Sequence, residues 1–278
     1  MLNPIALTDL VKNALLEDIG PGDITTEATV PAEAQAIAIL YVKDEGVICG
    51  HQAAQLAFQL FDPTLTYEIL VPEGTWVEYG TKIARITGAA RSILTAERVA
   101  LNFIQRMSGI ASATRRLAES IKYHRARLVE TRKTTPGLRL IEKYAVRVGG
   151  GVNHRYGLHD AIMIKDNHIA VCGSIQDAVL AARKVASHVM KVEVEVDSLE
   201  QLQEALDAGA DVILLDNMDP EMLKKAVDMA GGKAILEASG GITAANLADV
   251  ARTGVDIISM GALTHSVKSL DISLDIEV

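Results

Sequence analysis

A chain of 278 residues, 49 % apolar and 23 % charged, can bury one large α/β core or two smaller ones. Its formal net charge of −9 excludes a general nucleic-acid binder, which needs excess cation facing phosphate. Two cysteines, Cys49 and Cys172, are too few for a disulfide framework or a zinc site, so both are expected as reduced, packed thiols in a cytoplasmic protein. The N-terminus has no apolar signal core, and no charge-free apolar run of roughly 18 residues offers a membrane span.

Residues 5–17 alternate at helical spacing until Gly20-Pro21-Gly22 stops them. From Ala34 to Arg91 the pattern reads as β, with a strand pair around Asp44-Glu45-Gly46 and further glycine-punctuated strands after it. A long helical stretch from Ala90 to about Tyr123 follows, with a break expected near Ser108-Gly109. Strand and helix then alternate. Strands are expected at 127–131, 161–164, 191–196, 212–215, 234–237 and 256–259, and helices at 174–187, 198–208, 219–230 and 243–252. Such alternation implies parallel strands joined by right-handed crossovers, and favours a β/α barrel over a doubly wound sheet. The expected division is residues 1–109 as one domain, rejoined by 267–278, and 110–266 as the barrel.

A barrel places its chemistry at the C-terminal ends of its strands. Those ends read Arg132-Lys133-Thr134-Thr135, Lys165-Asp166-Asn167-His168, Asp197, Asp216-Asn217, Ser239-Gly240-Gly241 and Met260-Gly261-Ala262. Charge is sorted too: residues 125–168 hold nine Lys/Arg and four Asp/Glu in an otherwise acidic chain, which points to a small anionic ligand. Arg139, Lys143 and Arg147, at four-residue spacing, also fit an exposed helix face. The glycines after the last strands suit phosphate held by bare backbone N–H groups. Gly149-Gly150-Gly151 is expected to let backbone approach a ligand faced by His154 and Arg155. Glu193 and Glu195 share one strand face at different depths; Glu195, nearer the strand end, and Asp216 form a carboxylate pair. That pair suits Mg²⁺ or a cationic sugar transition state.

The runs ETRKTTPGLR (130–139), KYAVRVGGGVNHRYGLHDAIMIKDNH (143–168), VEVEVDSLEQ (192–201), LLDNM (214–218), LEASGGI (236–242) and GVDIISMGALTHS (254–266) resemble the quinolinate phosphoribosyltransferase family. LLEDIGPGDITT (15–26) and AERVALNFIQRMSGIA (96–111) are similar to its N-terminal part. The resemblance implies an N-terminal α/β domain with a small, mostly antiparallel sheet and an incomplete, seven-stranded β/α barrel. It further implies a homodimer, or a higher oligomer built from it, in which Arg98 reaches the partner's site. Arg132, His154, Arg155 and Lys165 would hold the two carboxylates of quinolinate. Lys133, Lys165, Glu195 and Asp216 would meet phosphoribosyl pyrophosphate and its Mg²⁺, with Lys133, Lys165, Glu195 and Asp216 as the catalytic set. Ser239, Gly240, Gly261 and His265 would cradle the 5′-phosphate. Rival readings are a monocarboxylate transferase of the same fold, a non-catalytic phosphate-ligand sensor, and an aldolase using Lys165 as a Schiff base. The cation set Arg98, Arg132, His154 and Arg155 disfavours the first, because a monocarboxylate would leave cations unpaired in a buried site.

Overall fold

The computed structural model describes residues 2–277, which divide into two units. The first takes residues up to 115, 134–150 and from 263 onward; the second takes 116–133 and 151–262. Position 109/110, the expected boundary, therefore falls inside a helix of the first unit.

In chain order the first unit opens with α1 (Pro4–Ile19), α2 (Ile24–Thr29), β1 (Gln35–Val42), β2 (Gly46–Val47), α3 (His51–Phe61), β3 (Thr66–Ile69), β4 (Trp76–Val77) and β5 (Lys82–Ala89). α4 (Ala90–Ser120) follows, and then β6 (Arg127–Val129) and α5 (Arg139–Val148). The rest alternates: β7 (Ile162–Ile164), α6 (Asp166–Cys172), α7 (Ile175–Val185), β8 (Val192–Val196), α8 (Leu199–Asp207), β9 (Val212–Asp216), α9 (Pro220–Ala230) and β10 (Ile235–Ser239). α10 (Leu247–Arg252), β11 (Ile257–Ser259), α11 (Ala262–His265) and β12 (Ile272–Glu277) complete it.

The first unit holds a four-stranded antiparallel sheet in the order β12-β1-β5-β3. Its last strand pairs along β1 from Ile37↔Glu277 to Val42↔Ile272, so residues 272–277 return to the start of the chain. Three expectations are corrected here. β1 and β2 do not form a hairpin; β2 pairs with β4 instead. Within the stretch read as β, residues 51–61 are helix, because Ala53, Ala54, Ala57 and Phe58 recur at helical spacing and bury one stripe. Ser108-Gly109 does not break α4, which runs unbroken through 31 residues. Glycine is required there for another reason: a Cβ on Gly109 would collide with the backbone carbonyl of Lys268. Gly149 makes a similar close approach, to Ala111 and Thr114 on α4.

The second unit is a parallel sheet in the order β6-β11-β10-β9-β8-β7. Six strands are present where seven were expected. The seventh is reduced to one parallel bridge, Val152 on Val129 beside β6, and the described residues leave the barrel open between Val152 and β7. The N-cap hydroxyl or carboxylate of Ser174, Ser198 and Asp219 accepts a backbone N–H in the first turn of α7, α8 and α9, fixing where each crossover helix begins. Val192, Val194, Ile213, Leu215, Leu236 and Ala238 are buried on one strand face. Period-two alternation then puts Glu193, Glu195, Leu214, Asp216 and Glu237 on the other, inside the barrel.

Of the two free cysteines Cys49 is buried as expected, while Cys172, at the end of α6, is exposed. No helix among the described residues is long and apolar enough to cross a membrane.

Candidate active site

At the C-terminal ends of the parallel strands lies a cavity of about 550 Å³. Its lining brings together Arg132, Lys133, His154, Arg155, Lys165, Glu195, Asp216, Ser239 and Gly240, supplied by β6, β7, β8, β9, β10 and the segment that carries Val152. Gly261 lies two residues beyond Ser259, which also lines it. At the opposite ends of the strands a hollow of about 360 Å³ is edged by Arg125, Asp211 and Asp256. Three of its charges are already paired, Arg125 with Asp256 at 2.5 Å and Asp211 with Arg183 at 2.8 Å.

Arg98 and His265 belong to the first unit and are not among the residues lining this cavity. Arg98 stands on α4 in a cleft with Lys43, Glu97, Asp271 and Asp275. His265 ends α11 with Nδ1 2.6 Å from the Ser266 hydroxyl.

Cations collect on one side of the cavity. The Arg155 guanidinium gives Nη1 to the carbonyl of Ala161 at 3.2 Å, while its buried Nε has no hydrogen-bond partner among the described residues. Burial first, and the neighbouring Arg132 second, lower the Arg155 pKa. Two guanidiniums that repel one another in a partly dry cavity are best relieved by an anion with planar oxygen pairs.

Acids occupy the other side. Glu195 Oε2 accepts from Lys165 Nζ at 2.5 Å, and Asp216 accepts from its neighbour Asn217 at 2.7 Å. Burial raises the Asp216 pKa, Glu195 raises it further, and Asn217, Lys165 and Lys133 pull it back. The two acidic strand ends are thus close enough to feel each other. Gly240 lets the turn after β10 pass over that after β9: at φ +85°, any Cβ there would collide with the Asn217 side chain.

Below these groups lies a layer of buried acid that strand-end reasoning passed over. Glu130, fully buried at the end of β6, accepts from the Asn153 amide at 3.0 Å and from the His154 backbone N–H at 3.2 Å. It thereby fixes the segment that delivers His154 and Arg155. His154 Nδ1 accepts from the Arg155 N–H at 2.6 Å, and Nε2 points between Glu193 and Glu237, 3.5 Å from each. The sequence favours Glu195 over Glu193 because it lies nearer the strand end, and Glu237 is there the last residue of the expected strand 234–237. The available signal was their alternation with valine and leucine, which already placed them inside the barrel.

Lys143, offered as one of three exposed helix charges, is buried, and Arg139 Nε donates to Thr134 Oγ1 at 3.0 Å. Beside them the buried Glu142 accepts from Arg106 at 2.7 Å and from the Thr135 hydroxyl at 2.8 Å. Through Arg139 and Glu142 this helix braces the loop after Lys133, while Arg147 is exposed as the helix-face reading expects.

Residues 110–275 match the family model described as quinolinate phosphoribosyl transferase, C-terminal domain, and residues 23–108 match the N-terminal domain of the same family. A probable nicotinate-nucleotide pyrophosphorylase (carboxylating) of Bacillus subtilis (strain 168) is 46 % identical over 275 residues, covering 99 % of this chain and 95 % of that one. The chloroplastic nicotinate-nucleotide pyrophosphorylase (carboxylating) of Oryza sativa subsp. japonica is 44 % identical, over 98 % of this chain and 78 % of its own. The solved structure of the nicotinate-nucleotide pyrophosphorylase from Francisella tularensis superposes with a TM-score of 0.96 at 42 % identity, covering 100 % of this chain and 98 % of that one.

Proposed function

The chain belongs to the quinolinate phosphoribosyl transferase family, and on that premise we propose that it moves the phosphoribosyl group of phosphoribosyl pyrophosphate onto the ring nitrogen of quinolinate. The 2-carboxylate is lost as CO₂, leaving nicotinate mononucleotide and pyrophosphate, a step of de novo NAD synthesis. One observation carries the reading: the half-buried Arg155 beside Arg132 in the same cavity as the Lys165–Glu195–Asp216 group.

Arg132 and Arg155, with His154 and Lys165, are assigned to the two carboxylates of quinolinate, each guanidinium offering a planar fork. Ser239, Gly240, Gly261 and His265 are assigned to the 5′-phosphate, and Lys133 and Lys165 to the pyrophosphate side. Bond making and breaking at the anomeric carbon need no protein nucleophile. The residues hold both reactants in line, and the carboxylates of Glu195 and Asp216 favour the positive charge that develops on the sugar.

Glu195 and Asp216 also fit Mg²⁺. They are hard oxygen donors, and the repulsion that raises the Asp216 pKa is one a dication would remove. When bound, the ion would neutralise charge on the departing pyrophosphate. A homodimer in which Arg98 completes the partner's site, and a cytoplasmic location, complete the proposal.

The test is CO₂ release from carboxyl-labelled quinolinate in the presence of phosphoribosyl pyrophosphate and Mg²⁺. Release that depends on all three components is expected. Pyrophosphate formed with nicotinate and not with quinolinate would move the substrate assignment to a monocarboxylate.

A further inference from the structure

Loss of CO₂ from a pyridinium leaves an electron pair on ring carbon 2, and turnover requires a proton there. The cavity must therefore hold an acid, and the arginines cannot serve, because guanidinium does not give up its proton in a protein. Lys165 is engaged by Glu195 at 2.5 Å. Glu237 lines the same cavity beside His154 and Arg155, is 4 % exposed, and its Oε1 has no hydrogen-bond partner among the described residues.

His154, Glu193 and Glu237 have the composition of a metal site, their ligand atoms all within 4.8 Å of one another. The His154 ring argues against that use. Its Nδ1 accepts from the Arg155 N–H, so the ring proton sits on Nε2, the atom a metal would need. Two buried carboxyls this close retain a proton between them instead. Of the two, Glu237 is the carboxyl whose pKa is raised, by burial first and by Glu193 second, which suits it to carry that proton.

We propose that Glu237 is a further catalytic residue, the acid that protonates ring carbon 2 as the 2-carboxylate leaves. This rests on the transferase reading above. The bond from carbon 2 to the carboxylate carbon breaks with its electron pair remaining on the ring, and CO₂ departs. In the same step the Glu237 O–H bond breaks, its proton passing to carbon 2 as the carboxylate leaves and its electron pair staying on the Glu237 carboxylate. Water returns the proton when the nucleotide leaves.

The groups facing Glu237 agree. Burial raises its pKa to about 7, with Glu193 of β8 and, more weakly, Glu130 beyond β6 pushing the same way; His154 and Ser259 of β11 oppose them. A carboxyl poised near neutrality is matched to proton transfer at neutral pH.

Single-turnover reactions that follow pyrophosphate and CO₂ separately test the assignment. In Glu237→Gln, pyrophosphate should still form while CO₂ release slows on the order of 100-fold, and quinolinate mononucleotide should accumulate. Glu237→Asp, which keeps an acid, should recover part of the CO₂ rate. Pyrophosphate and CO₂ in step in Glu237→Gln would overturn the acid and leave the transferase reading standing. If that variant forms neither product, the wild-type CO₂ step decides: a fall of about tenfold per pH unit above neutrality supports the acid, and a flat profile overturns it. Wild-type protein that forms no pyrophosphate from quinolinate overturns the transferase reading and this assignment together.

Discussion

Single side chains in the cavity divide by which substrate they are proposed to serve. Arg155 gives one nitrogen to Ala161 and leaves another buried without a hydrogen-bond partner among the described residues, which suits it to the proposed anion. Arg155→Ala should raise KM for quinolinate by about 10- to 100-fold, the range of a lost charge-assisted hydrogen bond, and leave KM for phosphoribosyl pyrophosphate nearly unchanged. Equal rises in both constants would remove Arg155 from the carboxylate side. Glu237 makes a prediction about stability as well. Its pKa is raised from 4.5 to about 7 in the folded state, so the fold binds a proton that the unfolded chain has lost. That contribution is complete below pH 4.5 and disappears as pH rises through about 7. Urea unfolding should therefore show stability falling from mildly acidic to mildly alkaline pH, with a shallower fall in Glu237→Gln; parallel slopes would contradict it. Strand-end residues such as Lys133, Lys165, Glu195 and Asp216 could be read from the sequence because parallel strands present their last residues to one face. The parts played by Glu130 and Glu237 could not, since a buried carboxyl shows its function only through what is packed against it.

Among the elements, α4 separates local propensity from packing. Helix propensity alone says that Gly109→Ala should stabilise by about 1 kcal/mol. The backbone of Lys268 occupies the space a methyl group would need, so the same change should instead cost about 1–3 kcal/mol. Chemical denaturation of the variant tells the two apart by sign. The crossover strands and helices of the second unit were legible because period-two and 3.6-residue patterns alternate cleanly there. α3 was hidden between glycine-rich β segments, and Ser108-Gly109 looked like punctuation. In both cases the deciding partner is distant in sequence: the residue that makes Gly109 obligatory lies 159 positions away.

On the scale of the whole molecule, the cavity lining gathers most of the expected site while Arg98 and His265 sit in the other unit. If protomers share sites, mixing Arg98→Ala with Arg132→Ala protein should restore up to about a quarter of wild-type activity, since each mixed dimer keeps one intact site among random pairings. Mixtures as inactive as their parents would exclude sharing. The open barrel was anticipated from the family resemblance. The place of its opening was not, because Val152 holds the sheet through a single bridge that no strand-like run announces.

The pairing of β12 along β1 also bears on how the protein is made. The first sheet of the nascent chain lacks this edge partner until residues 272–277 have been made, by which time the six parallel strands have all been synthesised. Fragments cut between the regions matching the two family models would separate β1 from β12 and divide α4. The N-terminal half expressed alone would then expose the edge of β1 to any extended peptide, and aggregation is its expected fate. Supplying residues 263–278 as a separate peptide should rescue its solubility.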